Sequence, residues 1–152
     1  MMSVKPIALR RIEMPGIDIT ALVTEAERDG HRFMRRLQDE WESGANRFQH
    51  AGEFLLAAIL DGRPIAVGGL NRDPYSSADD VGRLRHVYVA VEARRLGVGA
   101  MLVESIINRA ARSFSTLRLR TATAEAAAFY ERLGFQRTGE EAATHIMRLR
   151  VS

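Results

Sequence analysis

Two arginines and two glycines lie together in the segment RRLGVGA, between a strand-like run and a helix-like run. The N-terminus of a helix carries unpaired N–H groups and a partial positive charge, which together attract anions. Glycines at 97 and 99 would let a pyrophosphate approach the backbone and would permit positive φ angles. Arg94 and Arg95 could hold a phosphate through paired hydrogen bonds. The segment is therefore either a tight turn or a binding site for a phosphorylated cofactor.

Two widespread phosphate-binding loops do not match this segment. The dinucleotide-binding fingerprint requires three glycines, and Leu102 occupies the place of the third. The P-loop requires a lysine directly after its last glycine, and none follows Gly99. The pyrophosphate loop of acyl-CoA-dependent N-acyltransferases remains as the third candidate.

A second block of sequence, AAAFYERLGFQRTG, carries an aromatic residue that could take part in chemistry. Tyr130 lies at helical spacing from Ala126 and Leu133, which by itself favours a core aromatic. Gly134 and Phe135 are typical of a helix end followed by a hydrophobic contact. A third segment, LLAAILDGRPIAVGGL, has the pattern of a β-hairpin.

These three segments resemble the GNAT superfamily of acetyl-CoA-dependent N-acetyltransferases, over nearly the whole chain. HVYVAVEARRLGVGAMLV is similar to the family's central strand and its [RQ]-x-x-G-x-[GA] loop, and AAAFYERLGFQRTG is similar to its C-terminal block. The resemblance implies a single domain over residues 1–152, acetyl-CoA as the co-substrate and no metal. It also implies that the strand at Val87–Val89 and its parallel neighbour after Leu117 splay apart, with the pantetheine arm between them.

The resemblance also implies roles for particular residues. Strand backbone groups would pair with the pantetheine amides, and N–H groups from Arg95 to Ala100 would hold the pyrophosphate. Tyr130 would be the general acid for the departing thiolate, since tyrosine and thiol pKa values are comparable. The N–H of Val89 could stabilise the oxyanion that forms when the amine adds directly to the acetyl carbonyl. The implied cofactor contacts are Val87, Tyr88, Val89, Arg94, Arg95, Leu96, Gly97, Val98, Gly99, Ala100, Thr123, Ala126 and Tyr130.

The general base is harder to assign from the sequence. Strict alternation along the strand places Val87, Arg85 and Arg83 on one face, with His86 and Tyr88 on the other. The two arginines would then lie near the acceptor pocket and favour a substrate that carries a carboxylate or phosphate. His86 would need a β-bulge to turn inward, and it is otherwise a structural or surface histidine.

Two further regions could contribute to the acceptor side. Glu53 opens the hairpin and is a second candidate base, although an exposed carboxylate at a strand edge is the simpler interpretation. A chain of water molecules could also remove the proton. Residues 33–48 would line part of the acceptor side, with Trp41 and Arg47, while Trp41 alone fits a core position.

Composition places the chain among ordinary globular proteins. Of its 152 residues 46% are hydrophobic and 27% charged, which suits one domain with a substantial core. No cysteine is present, which excludes disulfides and thiolate zinc sites and fits a reducing compartment. The start of the sequence shows no signal peptide, and no apolar run is long enough to span a membrane. We therefore expect a cytoplasmic protein that does not bind membranes.

The distribution of charged residues indicates which class of binding partner to expect. The net charge of +3 comes from 22 basic and 19 acidic residues that are interspersed along the chain. This favours a mixed solvated surface over a nucleic-acid-binding face. The expected partner is a small-molecule or peptide amine, and homodimers are common in the superfamily. Because no base is evident, a CoA-binding regulatory or sensory domain without turnover is the alternative function.

The hydrophobic pattern predicts the first half of the fold. Residues 4–12 alternate weakly and suggest a first strand. The region Asp18–Glu42 has helical periodicity, and the break at Arg28–Gly30 indicates two helices or one sharply bent helix. Phe54–Leu60 and Ile65–Leu70 flank a DGRP turn, and Leu84–Val91 is the next strand.

The second half completes one sheet. A helix with one apolar face follows RRLGVGA, then a strand over residues 115–121, a helix capped by Thr123 and stopped by Gly134, and two short strands at 135–140 and 144–151. A β–α–β unit requires a parallel pair, and hairpins require antiparallel pairs. The predicted fold is therefore α/β (mixed α+β), with a central, mixed, mostly antiparallel twisted sheet of about six to seven strands, helices on both faces and one splayed parallel pair.

Overall fold

The computed structural model describes residues 6–150, and its elements follow the predicted order. The strands are β1 (Ala8–Arg11), β2 (Phe54–Leu60), β3 (Arg63–Arg72), β4 (Val81–Val89), β5 (Thr116–Leu119), β6 (Gln136–Arg137) and β7 (His145–Arg148). The helices are α1 (Thr20–Arg28), α2 (Phe33–Ser43), α3 (Val98–Ala110) and α4 (Ala124–Arg132), and a 3₁₀ turn (Val91–Leu96) separates β4 from α3.

The strands of the described chain form a single seven-stranded sheet in the order β1-β2-β3-β4-β5-β7-β6. Neighbouring strands are antiparallel except β4 and β5, which run parallel. The chain crosses from β4 to β5 through α3, as a parallel pair requires. The predicted mixed, mostly antiparallel sheet with one parallel pair is confirmed.

Helices cover both faces of the sheet. On one face α3 buries Leu102 and Ile106 completely against the sheet. On the other face α1 and α2 bury Val23, Met34 and Leu37. Each such aliphatic side chain contributes roughly 1.5–3 kcal/mol when fully buried. The two apolar cores therefore hold the layers together, as the helical periodicity predicts.

Glycines and one threonine set the helix ends where the sequence predicts them. Gly30, with a φ of +85°, separates α1 from α2, and Gly44, with a φ of +84°, ends α2. The Thr123 hydroxyl accepts a hydrogen bond of 3.1 Å from the N–H of Ala126 and so caps α4. Gly134 follows that helix with a φ of +106°.

Several strand boundaries differ from the prediction by a few residues. β4 spans Val81–Val89 instead of Leu84–Val91, because its first residues pair with β5 and Val91 already belongs to the 3₁₀ turn. The strand and α3 are therefore not directly joined. β6 occupies only two of the residues predicted at 135–140. β1 begins at Ala8, and residues 4 and 5 of the predicted first strand lie outside the described residues.

A β-bulge interrupts the pairing of β3 with β4. After the pair formed by Gly69 and Arg85, one residue of β3 opposes two residues of β4, His86 and Val87. His86 adopts a left-handed φ of 59° at this point. An inserted residue of this kind shifts the alternation of side chains beyond it.

The bulge overturns the predicted division of β4 between two faces. Val87 and Val89 pack into the core beneath α3, whereas His86 and Tyr88 pack beneath α1 and α2. Arg85 and His86 therefore share a face, because the inserted residue breaks the two-residue period. The prediction that Arg85 shares a face with Val87, opposite His86, is wrong.

Gly69 lies at this bulge because an aromatic ring packs against it. A Cβ atom on Gly69 would lie 2.6 Å from the Phe48 ring, closer than carbon atoms pack. Phe48 in turn contacts the His86 ring edge-on, with centroids 6.3 Å apart, and stacks on Trp41 at 6.2 Å. The missing side chain at Gly69 thus lets a row of rings lie against β4.

We predict that Gly69→Ala lowers the free energy of unfolding by about 1–3 kcal/mol, because the added methyl group displaces the Phe48 ring. Urea unfolding followed by circular dichroism measures this change. The matched control is Gly139→Ala, since no heavy atom lies within 4 Å of the Cβ position there. Equal stability of the two variants would contradict the packing role of Gly69.

Candidate functional site

The sheet opens between β4 and β5. The two strands pair over three residues each, and the last pair is Arg83 with Arg118. β4 then continues to Val89 without a partner on this side in the described chain, while β5 pairs with β7 on its other side. The predicted splaying of the parallel pair is confirmed, and it leaves a cleft along the free edge of β4.

Val89 directs its backbone towards this cleft. The N–H of Ala90 donates a 2.8 Å hydrogen bond to the carbonyl of Ile65 in β3. By the alternation of an antiparallel ladder, Tyr88 and Ala90 point their backbone groups at β3 and Val89 points its own groups away from it. Tyr88 was expected to pair with pantetheine through its backbone, and this geometry corrects that expectation. The contacts of Val87 and Val89 stay predictions.

The first turn of α3 lies at the end of the cleft. Gly97 adopts a left-handed φ of +73°, and no heavy atom lies within 4 Å of its Cβ position, which is the open approach expected of an anion-binding turn. Gly99 is buried instead, and its Cβ position is 3.3 Å from Val89 and 3.5 Å from Phe129. Gly99 therefore allows α3 to pack closely on β4 and α4, and its contact with a pyrophosphate stays a prediction.

The two arginines of RRLGVGA differ in their surroundings. Arg94 donates from Nε to the Val89 carbonyl at 3.0 Å and from its guanidinium to the Tyr88 hydroxyl at 3.3 Å. Its guanidinium is also 3.5 Å from the Asp29 carboxylate. Arg95 is exposed and has no ion pair or hydrogen bond from its side chain within residues 6–150. Arg95 is therefore the one of the two with a guanidinium available for a phosphate.

The remaining residues of the segment offer backbone groups more than side chains. Leu96 exposes 62% of its surface, whereas Val98 is fully buried and Ala100 is half-buried. The N–H groups in the first turn of a helix have no acceptor within the helix. Contacts from these three residues stay predictions that rest on those N–H groups.

Tyr130 lies on α4, next to Phe129, whose ring packs against Gly99 at the start of α3. It is half-buried, and its ring contacts Phe129 edge-on at 5.0 Å and Phe135 at 5.7 Å. Burial raises the pKa of Tyr130 above its ordinary value, so its hydroxyl stays protonated at neutral pH. The N–H of Ala126 donates to the Thr123 hydroxyl in the cap of α4, and the cofactor contacts of these two residues stay predictions.

The profile of the Acetyltransferase (GNAT) family matches residues 18–135. The chain belongs to this family. The fold agrees with solved GNAT structures, and the predicted resemblance is confirmed. A protein of Exiguobacterium sp. 255-15, a candidate acetyltransferase, is 28% identical with a TM-score of 0.83, and the match covers 94% of this chain and 93% of that one.

Other relatives extend the comparison. A GNAT family N-acetyltransferase of Escherichia coli, solved in complex with CoA, shares the fold with a TM-score of 0.74 at 18% identity, over 99% of this chain and 85% of that one. Camello of Xenopus tropicalis, a probable N-acetyltransferase, is 36% identical over 113 residues, which are 72% of this chain. N-acetyltransferase family 8 member 3 of Rattus norvegicus is 40% identical over 73 residues, which are 46% of this chain. The matches cover 50% and 32% of the length of these two relatives.

His86 is the buried polar residue of the β4 bulge. Its Nδ1 lies 3.1 Å from the Phe33 carbonyl on α2, and its Nε2 is buried without a hydrogen-bond partner in the described chain. A carbonyl only accepts, so Nδ1 carries the proton and Nε2 holds a lone pair. Burial, and to a lesser extent the charges of Arg85 and Arg36, lower the pKa of His86 to about 4. The bulge that would turn His86 inward is thus present, and the histidine is neutral.

Arg83 belongs to a buried ion cluster at the vertex of the cleft. Its guanidinium donates to the Ala142 carbonyl at 2.7 Å and lies 3.6 Å from the fully buried carboxylate of Asp73. Arg118 lies 3.1 Å from the same carboxylate, and the exposed ring of Tyr75 covers Arg83 at 4.8 Å. Arg83 is therefore committed to protein partners, which corrects the expectation that it faces the acceptor.

Glu53 has a structural role. It is 95% buried rather than exposed, and its two carboxylate oxygens accept from the N–H groups of His50 at 3.2 Å and Arg72 at 2.9 Å. Both oxygens therefore hold backbone groups around the β2–β3 hairpin. The prediction of an exposed strand-edge carboxylate is wrong, and its lone pairs are not directed to the cleft.

Trp41 and Arg47 line two cavities on the α1–α2 side of the sheet. The cavities have volumes of about 400 and 660 Å³, share a wall formed by Glu13 and Ile17, and include no residue of β4. Trp41 is buried and donates to the Met14 carbonyl at 2.9 Å, which confirms its core position. Arg47 donates to the carbonyl of Trp41 at 2.8 Å. Within residues 33–48 it is instead Phe33 and Phe48 that reach β4.

Three residues at the site escaped the sequence analysis: Asp73, Arg118 and Phe129. The alternating arginines of RLRHV and LRLRT are a signal for the first two, because inward-facing arginines of adjacent strands require a shared carboxylate. Phe129 neighbours Tyr130 in the same block, and only its contact with Gly99 reveals its place.

The described residues contain neither a metal-binding cluster nor a membrane-spanning helix. No group of three or more His, Asp or Glu residues between 6 and 150 is arranged to hold a metal ion. No helix in that part of the chain is long and apolar enough to cross a membrane.

We predict that His86 makes the fold sensitive to mild acid. Its pKa is about 4 in the folded protein and 6.5 ordinarily, so the unfolded chain takes up a proton first as the pH falls. The contribution of neutral His86 to the free energy of unfolding is therefore fully present above about pH 6.5. It is lost progressively as the pH falls towards 4, and the total loss is about 3 kcal/mol. Urea unfolding at pH 7.5 and 4.5 should show a smaller loss for His86→Gln, and parallel losses would contradict this assignment.

Proposed function

We propose that this protein is an N-acetyltransferase that moves the acetyl group of acetyl-CoA directly to the primary amine of a small molecule or peptide. The observation that carries the proposal is the cleft between β4 and β5, with the Val89 backbone on one wall and the N-terminus of α3 at its end. The relative from Escherichia coli that was solved with CoA has the same fold and supports the choice of a CoA thioester.

The residues of the cleft fit the parts of this co-substrate. An extended pantetheine arm can pair with an open strand edge, and at Val89 this edge offers a free N–H and a carbonyl that already accepts from Arg94 but has a second lone pair. The first turn of α3, with the open approach at Gly97 and the free guanidinium of Arg95, suits a pyrophosphate. Bound there, acetyl-CoA would supply an acetyl group activated as a thioester.

Two groups of the chain can assist the transfer. The N–H of Val89 points into the cleft and can donate to an oxygen that gains negative charge. The Tyr130 hydroxyl stays protonated and can donate to the departing sulfur. Its raised pKa makes complete proton transfer to a thiolate harder, so Tyr130 acts mainly as a hydrogen-bond donor in this proposal.

A CoA-binding regulatory domain is the second candidate function. The weakness of both candidate bases supports it, because the Glu53 carboxylate accepts from two backbone N–H groups and burial lowers the pKa of His86 to about 4. In the enzyme, a chain of water molecules would carry the proton from the amine.

We also propose that the protein is cytoplasmic, forms a homodimer and consists of a single domain over residues 1–152. The proposal includes no nucleic-acid partner and no membrane partner.

The first experiment tests cofactor binding and turnover separately. Calorimetry should detect acetyl-CoA binding, and thiol release should be measured over a broad panel of primary amines. Tight binding without thiol release from any amine would favour the regulatory domain. The absence of binding would contradict both functions.

We predict that Gly97→Asp weakens acetyl-CoA binding at least about tenfold relative to Gly97→Asn. Both side chains tolerate a left-handed φ and have the same size, so the pair differs only in the charge placed near the pyrophosphate. Calorimetry with acetyl-CoA measures the difference. Equal affinities of the two variants would overturn the pyrophosphate assignment.

We also predict that Tyr130→Phe lowers kcat about 10- to 100-fold and leaves the affinity for acetyl-CoA nearly unchanged. The phenylalanine keeps the edge-on contacts with Phe129 and Phe135 and removes only the hydroxyl. Steady-state thiol release and calorimetry provide the two readouts. An unchanged kcat with chemistry rate-limiting would remove Tyr130 from the mechanism.

A further inference from the structure

We infer that the acceptor amine carries an anionic group, a carboxylate or phosphate, and that Arg85 binds this group at the vertex of the cleft. The inference rests on the proposed function, since it names the substrate class of that site. It arises from one half-buried guanidinium without a partner among the described residues, and from a second, exposed guanidinium that also has none.

Arg85 occupies a defined place on β4. The last pair of β4 with β5 is Arg83 with Arg118, so Arg85 lies just past the point where the two strands part. It is directly opposite Gly69, and directly opposed residues of two strands share a face. That face packs against α1 and α2, because the Cβ position of Gly69 meets the Phe48 ring. Arg85 therefore lies on the α1–α2 face, at the vertex of the cleft.

The Arg85 guanidinium has no partner in the described chain. Neither a hydrogen bond nor an ion pair joins its side chain to any residue from 6 to 150, although the residue is half-buried. Arg83, two residues earlier, differs in this respect, because its guanidinium contacts the Asp73 carboxylate and the Ala142 carbonyl. A half-buried guanidinium without a protein partner has its donors available, and an anionic ligand can accept paired, charge-assisted hydrogen bonds from them.

A second arginine adds to the positive charge at this place. Arg36 is exposed on α2, one turn after Phe33, and its side chain also has no partner within the described residues. Both arginines lie close enough to His86 to act on its titration electrostatically. Two guanidinium groups near one buried histidine, with no carboxylate paired to either, favour an anion over a neutral or cationic acceptor.

The position of Arg85 separates this anion site from the phosphates of the cofactor. The pyrophosphate is assigned to the first turn of α3, beyond Val89. From Arg85 to Val89 the strand extends at most about 13 Å, because the bulge at His86 shortens the usual rise per residue. The anion bound by Arg85 therefore belongs to the acceptor, and Arg85 determines specificity without holding the co-substrate.

The experiment uses matched pairs that differ in the anionic group. The probes are the L-amino acids with their α-carboxamides, and phosphoethanolamine with ethanolamine. Each is titrated into the protein with and without saturating CoA, with binding followed by NMR chemical shifts, and each is also assayed for thiol release with acetyl-CoA. The variants are Arg85→Leu, Arg85→Lys and, as a control for the loss of one positive charge elsewhere, the exposed Arg112→Leu.

The expected result is that at least one anionic probe binds about tenfold or more tightly than its neutral partner. Arg85→Leu should abolish this preference, Arg85→Lys should retain part of it, and Arg112→Leu should leave it intact. Equal binding within every pair, no binding of any probe, or a preference that survives Arg85→Leu would overturn the inference. Thermal unfolding of each variant verifies that it remains folded.

The outcomes separate this inference from the proposed function. Thiol release without any preference for anionic amines would support the acetyltransferase function and contradict the anion site at Arg85. Anion binding that depends on Arg85, together with no thiol release from any amine, supports the site and contradicts the enzyme. The two hypotheses therefore fail by different measurements.

Discussion

The parting of β4 from β5 is the constraint on which the rest of this structure depends. The two strands stay together only as far as Arg83 and Arg118, and both guanidinium groups meet the buried carboxylate of Asp73. Removing one member of such a buried cluster typically costs about 3–5 kcal/mol, because it leaves an uncompensated charge. We interpret this ion cluster as the contact that holds the two strands together up to this point, and that therefore determines where the cleft begins.

The second determinant is the bulge at His86. One inserted residue turns Arg85 and His86 to the same face, and it leaves Val87 and Val89 on the other. Gly69 makes the bulge compatible with the aromatic row beneath α2, because no other residue leaves room for the Phe48 ring. The strand thus serves two purposes at once. Its free edge faces the cleft, while its α1–α2 face carries Arg85, which we assign to the acceptor.

The residues of the segment RRLGVGA have different roles. Gly97 provides the left-handed turn with an open approach, whereas Gly99 lets α3 pack against Val89 and Phe129. Arg94 is held by the Val89 carbonyl and the Tyr88 hydroxyl, which ties the 3₁₀ turn to the end of β4. Only a part of the motif is therefore left for an anion. The other part positions the helix whose N-terminus would bind it.

The sequence by itself determined the family, the order of the elements and the general place of the site. Periodicity and turn residues are local features, and they predicted α1 to α4, the hairpin and the parallel pair. The resemblance of the two motif blocks to the family implied that this pair splays apart. The tertiary structure alone decided which arginine is committed and which is free. Arg83 and Arg85 look alike in RLRHV, yet only Arg83 reaches the buried Asp73. Alternation could not show this, because a bulge depends on the neighbouring strand and a buried ion pair depends on residues distant in the chain.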